Sequence, residues 1–135
     1  MVYLTDEGSL FDAPLEVVWE YLLEGKAHDG VHKSTRNGKF EPVTHSTFLY
    51  HSERQVNGSW EPESIRISVF LKGPFEGSKM VYVYKPRGKK TEIAVYGDFR
   101  STSIPDAQLE GAVRTMLATE FEEDAPAIRR LASSK

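Results

Sequence analysis

Histidines are the residues whose type and spacing first suggest metal or proton chemistry in this sequence. His45 and His51 lie on the same face of one predicted strand. They are about 20 Å apart at roughly 3.3 Å per residue, which is too far to share a metal ion or a proton. His28 and His32 have the i, i+4 spacing of a helical metal pair, but Gly30 lies between them. We therefore expect a loop with two surface histidines, and we predict no metal site and no cofactor.

Five polar residues in predicted strands are candidates for a general acid or base, because each can point inward from its strand. They are His45, His51, Glu53, Arg66 and Asp98. No Ser/His/Asp order, glycine-rich phosphate loop or paired-carboxylate motif accompanies them. The sequence therefore favours a protein that is not an enzyme and leaves catalysis as the alternative.

Composition excludes several classes of function. The chain has 135 residues, no cysteine, and a net charge of −3 with a pI near 5.8. Without thiols there is no disulfide framework, thiolate site or cysteine nucleophile, which fits a reducing compartment. The acidic balance argues against nucleic-acid binding, and the basic run 85–90 (KPRGKK) lies on a predicted turn. No signal segment or apolar span is recognisable, so we expect a cytoplasmic protein that does not insert into a membrane.

The elements that must position these residues begin with a strand and a helix. Val2–Phe11 is predicted to be an imperfect first strand. Pro14 is suited to the first turn of a helix, and Gly25 to its end. The expected buried stripe of this helix consists of Leu15, Val18, Trp19 and Leu22. The following segment, 26–38, is predicted to be a loop or a short helical turn.

The middle of the chain is predicted to be an antiparallel β-meander. Segments 40–56, 65–71, 80–84 and 91–99 are rich in β-branched and aromatic residues and are bounded by turn residues. Asn57 and Gly58 form a preferred hairpin pair, and the short connections require antiparallel neighbours. We interpret Gly73, Gly77 and Gly88 as turn residues. Gly97 interrupts a strand, which marks either a turn, a bend or a close approach of backbone.

A long amphipathic helix is predicted to end the chain. Its apolar stripe comprises Leu109, Ala112, Val113, Met116, Leu117 and Phe121, with Glu110, Glu120, Glu122 and Glu123 off it. Pro126 is expected to kink or break this helix after about five turns, with Asp124 capping a short final segment. Without a repeat or linker, residues 1–135 are predicted to form one α+β domain, in which a curved antiparallel sheet wraps around the C-terminal helix.

The sequence resembles the START-like helix-grip (SRPBCC) superfamily in element order and in three short stretches. These stretches are 13–19 (APLEVVW), 73–77 (GPFEG) and 86–91 (PRGKKT). The superfamily includes polyketide cyclase/dehydrase-like proteins, lipid-transfer START domains and pollen-allergen-like proteins. The resemblance implies a hydrophobic cavity between the sheet and the C-terminal helix. It implies no shared set of catalytic residues, because one fold can host many chemistries.

Strand alternation and the helical stripe give the candidate ligand-binding residues. These are Phe48, Tyr50, Ile67, Val69, Tyr82, Tyr84, Val95, Phe99, Val113, Met116 and Leu117. The sequence leaves open whether they line a cavity or pack as a dry core, and whether the tyrosines face a ligand or the outer surface.

The leading hypothesis for function is a binding or carrier protein for a small hydrophobic molecule, such as a lipid, isoprenoid, quinone or polyketide-like compound. The resemblance keeps two alternatives open. One is a cyclase- or dehydratase-type enzyme that uses the same cavity, and the other is a cochaperone-type interaction module. A monomer and a homodimer, paired through an exposed meander edge, both remain open.

Overall fold

The computed structural model describes residues 1–24, 30–44 and 47–135. These residues form an antiparallel sheet in the order β1-β7-β6-β5-β4-β3-β2 and two helices. The strands are β1 (Val2–Phe11), β2 (Thr35–Pro42), β3 (Phe48–Val56), β4 (Ser59–Arg66), β5 (Val69–Phe70), β6 (Lys79–Arg87) and β7 (Lys90–Phe99). The helices are α1 (Leu15–Leu23) and α2 (Asp106–Ser133). The predicted combination of a meander and a long C-terminal helix is confirmed.

Irregularities lie in both edge strands of the sheet. In β1 the pairing with β7 shifts between Asp6 and Ser9, where Gly8 has a φ of 94°. In β2 the pairing with β3 shifts between Arg36 and Lys39. Such bulges bend a strand and increase its twist, which is how an open sheet becomes concave.

Two predicted strands are each divided in the structure. Segment 40–56 is not one strand but β2 and β3, and between these strands the Val43 amide donates to the Thr47 carbonyl at 3.0 Å. β2 begins at Thr35, inside the segment predicted to be a loop. Segment 65–71 contains the end of β4 and the short β5. The alternation of Ile65, Ile67 and Val69 continues through the turn between β4 and β5, so periodicity alone could not locate that turn.

Two glycine predictions concern backbone geometry. Asn57 and Gly58 have φ values of 49° and 83° and connect β3 to β4, as expected for a tight hairpin. A Cβ atom on Gly97 would lie 2.6 Å from the Lys79 carbonyl oxygen and 2.8 Å from the Phe99 ring. Gly97 therefore permits a close approach of β6 to β7, one of the interpretations that the sequence left open.

α1 begins where predicted, with Pro14 as its N-cap. The predicted stripe is only partly right, since the buried residues are Val17, Val18 and Tyr21, while Trp19 is 39% exposed. Val17, Val18 and Tyr21 pack against the C-terminal part of α2 and Phe11 of β1, so the buried face of α1 is offset from the predicted stripe. Gly25, the predicted end of the helix, lies outside the described residues.

α2 continues through Pro126, so the predicted break is wrong. Ala127 and Ile128 are buried against a cluster that includes Val18 and Tyr21. Burial of this last segment offsets the roughly 3 kcal/mol that an interior proline costs an unsupported helix. Asp124 does not cap a separate segment, because its side chain contacts Tyr21 instead.

The core between sheet and helix lies at the N-terminal half of α2. Leu109 and Val113 are fully buried there against Phe70, Phe75 and Phe99, whose ring centroids are 5.9 to 6.5 Å apart. This packing of Leu109 and Val113 closes one end of the space under α2.

Neither helix within the described ranges has the length and apolar character needed to cross a bilayer.

Candidate functional site

A cavity of about 430 Å³ lies between the concave face of the sheet and the middle part of α2, residues 116–124. α1 borders it through Trp19, Leu22 and Leu23. Side chains two residues apart on a strand share a face, and this places alternate residues of β3, β6 and β7 on the cavity wall. The apolar part of that wall includes Phe40, Phe48, Ile65, Ile67, Met80, Ile93, Val95, Met116, Leu117 and Phe121.

Most of the predicted ligand-binding residues line this cavity. Those on its wall are Phe48, Tyr50, Ile67, Tyr82, Tyr84, Val95, Met116 and Leu117. Phe99 and Val113 instead lie in the closed core with no exposed surface, and Val69 of β5 is also absent from the wall. The sequence pattern gives the correct face for Phe99 and Val113, but α2 already contacts the sheet at that end.

The candidate acids and bases in the strands lie away from the cavity. This holds for the four described ones, His51, Glu53, Arg66 and Asp98. On β3, Tyr50 and Ser52 point inward, so His51 between them points to the outer face, where its Nε2 lies 2.7 Å from Glu41. His45 and His28 lie outside the described residues.

A cluster of polar side chains forms one end of the cavity. His32 Nδ1 lies 3.2 Å from Glu123 Oε2, and His32 Nε2 lies 3.1 Å from Asp124 Oδ1. The Tyr21 hydroxyl donates to the same Asp124 oxygen. The His32 side chain is only 14% exposed, so the prediction of a surface histidine is wrong. No sequence pattern indicated that the segment before β2 would meet α2.

The cluster around His32 favours a positive charge on its imidazole. Burial acts to lower the pKa of His32, but the hydrogen bond to Asp124 and the surrounding carboxylates raise it above its ordinary value overall. With a carboxylate oxygen beside each ring nitrogen, both nitrogens can donate, which only the protonated imidazole does. His32 therefore links the segment before β2 to α2 through ion pairs with Glu123 and Asp124.

Glu120 lines the cavity one helical turn before Asp124. Its Oε2 accepts a hydrogen bond from the Tyr82 hydroxyl at 3.2 Å. Burial, reinforced by the charge of Asp124, raises the pKa of Glu120 to about 7 against the opposing effects of His32, Tyr82 and Arg54. This carboxyl group can thus gain or lose a proton near neutral pH. The prediction that Glu120 lies off the apolar stripe is wrong, because its side chain lines the cavity together with Met116 and Leu117. The spacing could have revealed this position, since Glu120 follows Met116 by four residues and Leu117 by three.

Arg54 and Glu63 form a second polar region on the wall. Arg54 Nε donates to Glu63 Oε2 at 2.5 Å, and the Glu63 side chain is only 3% exposed. The terminal nitrogens of Arg54 have no hydrogen-bond partner within the described part of the chain. Arg54 continues the inward alternation of Phe48, Tyr50 and Ser52, so strand period was the available signal.

The described residues show no metal centre. Across 1–24, 30–44 and 47–135, no three His, Asp or Glu side chains form a group that could hold a metal ion. The cavity wall presents carboxyl, imidazole, phenol and guanidinium groups on an apolar surface.

Three solved structures share this architecture. The Zhui aromatase/cyclase from Streptomyces sp. R1128 is 16% identical, with a TM-score of 0.60 over 98% of this chain and 94% of that one. The chain has the START-like helix-grip fold. The di-domain aromatase/cyclase StfQ, of the steffimycin biosynthetic pathway, is 10% identical, with a TM-score of 0.68 over 98% of this chain and 51% of that one.

The third structure with the helix-grip fold is Ara h 8.0201, which is 12% identical, with a TM-score of 0.61 over 99% of this chain and 100% of that one. No family model matches the sequence, and no curated protein matches it. Identities of this size establish the helix-grip fold alone, so function must be argued from the cavity.

Proposed function

We propose that this helix-grip protein binds a small, largely apolar molecule in the cavity under α2. The observation that carries the proposal is the cavity itself, about 430 Å³ of space bordered by Phe48, Met116 and Leu117. A space of this volume with apolar walls and a few placed polar groups has the usual composition of a small-molecule site.

The candidate ligand-binding residues of this proposal are the eight predicted residues on the cavity wall, together with Arg54 and Glu120. The apolar wall contributes affinity at about 25 cal/mol per Å² of ligand surface removed from water. The polar groups orient the ligand, because each buried polar atom of the ligand needs a partner. A polyketide-like, isoprenoid, lipid or quinone compound matches this division, and two of the structurally similar proteins are described as aromatase/cyclases.

The test is to fill the cavity and measure binding of a neutral fluorescent probe, N-phenyl-1-naphthylamine. Met116→Trp places a larger side chain on the wall, so we expect probe affinity to fall about tenfold or more. Val81→Trp is the matched control, because Val81 is 51% exposed and does not line the cavity. Equal probe binding by both variants and the wild type would contradict the proposal, as would no binding of any hydrophobic compound to the wild type.

An enzyme acting on the bound molecule is the second candidate, and Glu120 is the observation that favours it. A carboxyl group with a pKa of about 7, hydrogen-bonded to Tyr82 inside an apolar cavity, is suited to general acid–base work. Its carboxylate can remove the proton next to a carbonyl group, and the acid so formed can protonate a departing hydroxyl group, releasing an enone and water.

The enzyme candidate is tested with β-hydroxy ketones, whose dehydration gives an enone that is followed by ultraviolet absorbance. We expect turnover that falls at least about 100-fold in Glu120→Gln, the usual effect of losing a general acid or base. The control is Glu122→Gln, because Glu122 is exposed on the same helix and does not line the cavity. Equal rates for Glu120→Gln and the wild type would exclude this role for Glu120.

We also infer that residues 1–135 form one folding unit. The first strand β1 pairs with the last strand β7, and α2 packs against β1 and α1. Such long-range pairing favours a single cooperative unfolding transition. Two separate transitions in calorimetry would contradict this inference.

A further inference from the structure

Carboxylates on the cavity wall differ in the partners they have. Glu63 is paired with Arg54, while Glu123 and Asp124 are paired with His32. Glu120 accepts only the Tyr82 hydroxyl group, at 3.2 Å, and has no cationic hydrogen-bond partner among the described residues. A carboxylate that lies on an apolar wall and has no cationic partner can bind a cationic group of a ligand.

The surroundings of Glu120 favour a positive group. The titratable groups around it are Tyr82 and Tyr84 on β6, Arg54 on β3, His32 before β2, and Glu123 and Asp124 on α2, while Asp6 lines the cavity from β1. When ionised, Glu120, Glu123 and Asp124 carry three negative charges against the one that His32 can supply, and Glu63 offsets Arg54. Burial raises the pKa of Tyr82 and Tyr84, and the charges of Glu120 and Asp124 raise it further.

Aromatic rings lie beside this carboxylate. The Tyr82 and Tyr84 ring centroids are 6.2 Å apart, and those of Trp19 and Tyr84 are 5.3 Å apart. All three side chains line the cavity. Ring faces attract cations, most strongly where water is excluded, so these rings add to the attraction of Glu120.

We propose that the ligand of this cavity carries a protonated amine on its apolar body, and that Glu120 binds the amine beside the rings of Tyr82, Tyr84 and Trp19. This inference rests on the proposed binding function and specifies the chemical class of its ligand. The ammonium group donates a hydrogen bond to the Glu120 carboxylate, and the apolar body lies against Met116, Leu117 and the sheet. A carboxylate-bearing ligand of the same size is repelled from this end.

The experiment compares three ligands with the same apolar chain and different head groups, namely decylamine, 1-decanol and decanoate. Each displaces N-phenyl-1-naphthylamine from the full chain at pH 8. We expect decylamine to bind about tenfold more tightly than decanol, the effect of one hydrogen bond between charged groups, and decanoate to bind most weakly. Decanol binding as tightly as decylamine would overturn the proposal, and would favour a ligand that accepts a proton or hydrogen bond from Glu120.

Two variants with the same change in net charge test whether amine binding depends on Glu120 itself or only on the overall negative charge of the chain. Glu120→Gln should weaken decylamine binding about tenfold and change decanol binding by less than about threefold. Glu122→Gln should leave both affinities unchanged, since Glu122 is exposed and outside the cavity. Equal loss of decylamine affinity in both variants would overturn the assignment to Glu120.

The dependence on pH gives a further check. The pKa of Glu120 is raised to about 7, so the carboxylate becomes more populated between pH 6 and 8, while an alkylamine remains protonated. His32 loses positive charge as pH rises, which acts in the same direction. Decylamine affinity should therefore increase from pH 6 to 8 and decanol affinity should not. If neither the probe nor any of the three decyl ligands binds the wild type, the binding function itself is excluded, which is distinct from failure of the amine preference alone.

Discussion

Two parts of α2 face the same sheet but meet it in different ways. In the N-terminal part, Leu109 and Val113 are fully buried against the rings of Phe70 and Phe99. In the middle part, residues 116–124, the side chain of Glu120 borders the cavity instead. The difference shows that one amphipathic helix can close a core at one end and border a binding site at the other.

The side chains of the sheet explain why α2 is tightly packed at one place and borders a cavity at another. At the closed end, three phenylalanine rings from β5, β7 and the segment between β5 and β6 occupy the space under the helix. Gly97 allows β6 and β7 to approach there. At the open end the wall carries the longer polar side chains Arg54 and Tyr82, which pair with acids at the cavity surface and leave its centre unfilled.

The largest expected effect tests this contrast with two truncations on α2. Leu109→Ala leaves a void in the closed core, so we expect it to reduce the free energy of unfolding by about 2–5 kcal/mol. Met116→Ala only enlarges an existing cavity, and we expect about 1 kcal/mol or less, which is the lost burial without a new void. Urea denaturation measures both. Equal losses would show that the N-terminal part of α2 and its middle part, residues 116–124, are packed alike.

A smaller effect on stability comes from the buried charge of Glu120, in the part of α2 that borders the cavity. The folded state keeps a proton on Glu120 up to a pKa of about 7, whereas the ordinary value is 4.5. The unfolded chain binds fewer protons between these values, so the Glu120 contribution lowers stability as pH rises from about 4.5 to 7. Glu120→Gln removes this penalty and should raise the free energy of unfolding by about 1–3 kcal/mol at pH 8.

The same Glu120→Gln variant should have a smaller effect at pH 5, because this pH is only just above the ordinary value of 4.5 and most of the penalty develops between pH 5 and 7. Urea denaturation at the two pH values provides the measurement. A variant that is less stable than the wild type at pH 8 would show that the ionised carboxylate is stabilised in the fold, against the assigned environment.

The smallest effect concerns the attachment of the segment before β2. The pKa of His32 is raised in the fold, so its interaction with Glu123 and Asp124 is fully present below the ordinary value of 6.5 and is lost as pH rises through the folded value. We expect His32→Gln to reduce the free energy of unfolding by about 1–2 kcal/mol at pH 5.5 and by less at pH 9.

His51→Gln serves as the control, because His51 pairs with Glu41 on the outer face and is 39% exposed. Exposed pairs contribute little, so its effect should stay below about 1 kcal/mol at both pH values. If the two variants behave alike in urea denaturation, the His32 cluster has no special role at the open end.

Prediction from the sequence succeeded where local pattern and burial agree. β1, the Asn57–Gly58 hairpin and the face of α2 that meets the sheet follow from periodicity and turn chemistry. It failed where tertiary packing outweighs a local signal. Pro126 does not end α2, because Ile128 is buried beyond it, and Trp19 is partly exposed although its spacing matches a buried stripe.

For the candidate site, alternation along β3 put Phe48 and Tyr50 on one face, and both lie on the wall. Alternation left open which way Tyr82 and Tyr84 of β6 point, and the structure places both on the wall. The same rule extends to Arg54, two residues beyond Ser52. Nothing in the local pattern distinguished Phe99 from these residues, because the same strand face continues from the cavity wall into the region where α2 packs directly on the sheet. The boundary between these two regions depends on how far α2 lies from each strand.

The sequence by itself determined most of the elements, their antiparallel connections and the covered face of the N-terminal part of α2, because hydrophobic period and turn residues act over a few positions. Only the tertiary structure decided where the covered faces meet tightly and where they leave a cavity. It also decided that His32, Glu120, Asp124 and Tyr21 come together, since these residues are separated by up to about a hundred positions and meet only when the segment before β2 and α1 pack on α2. Long-range packing, which no local pattern records, sets both the space and the charge of the site.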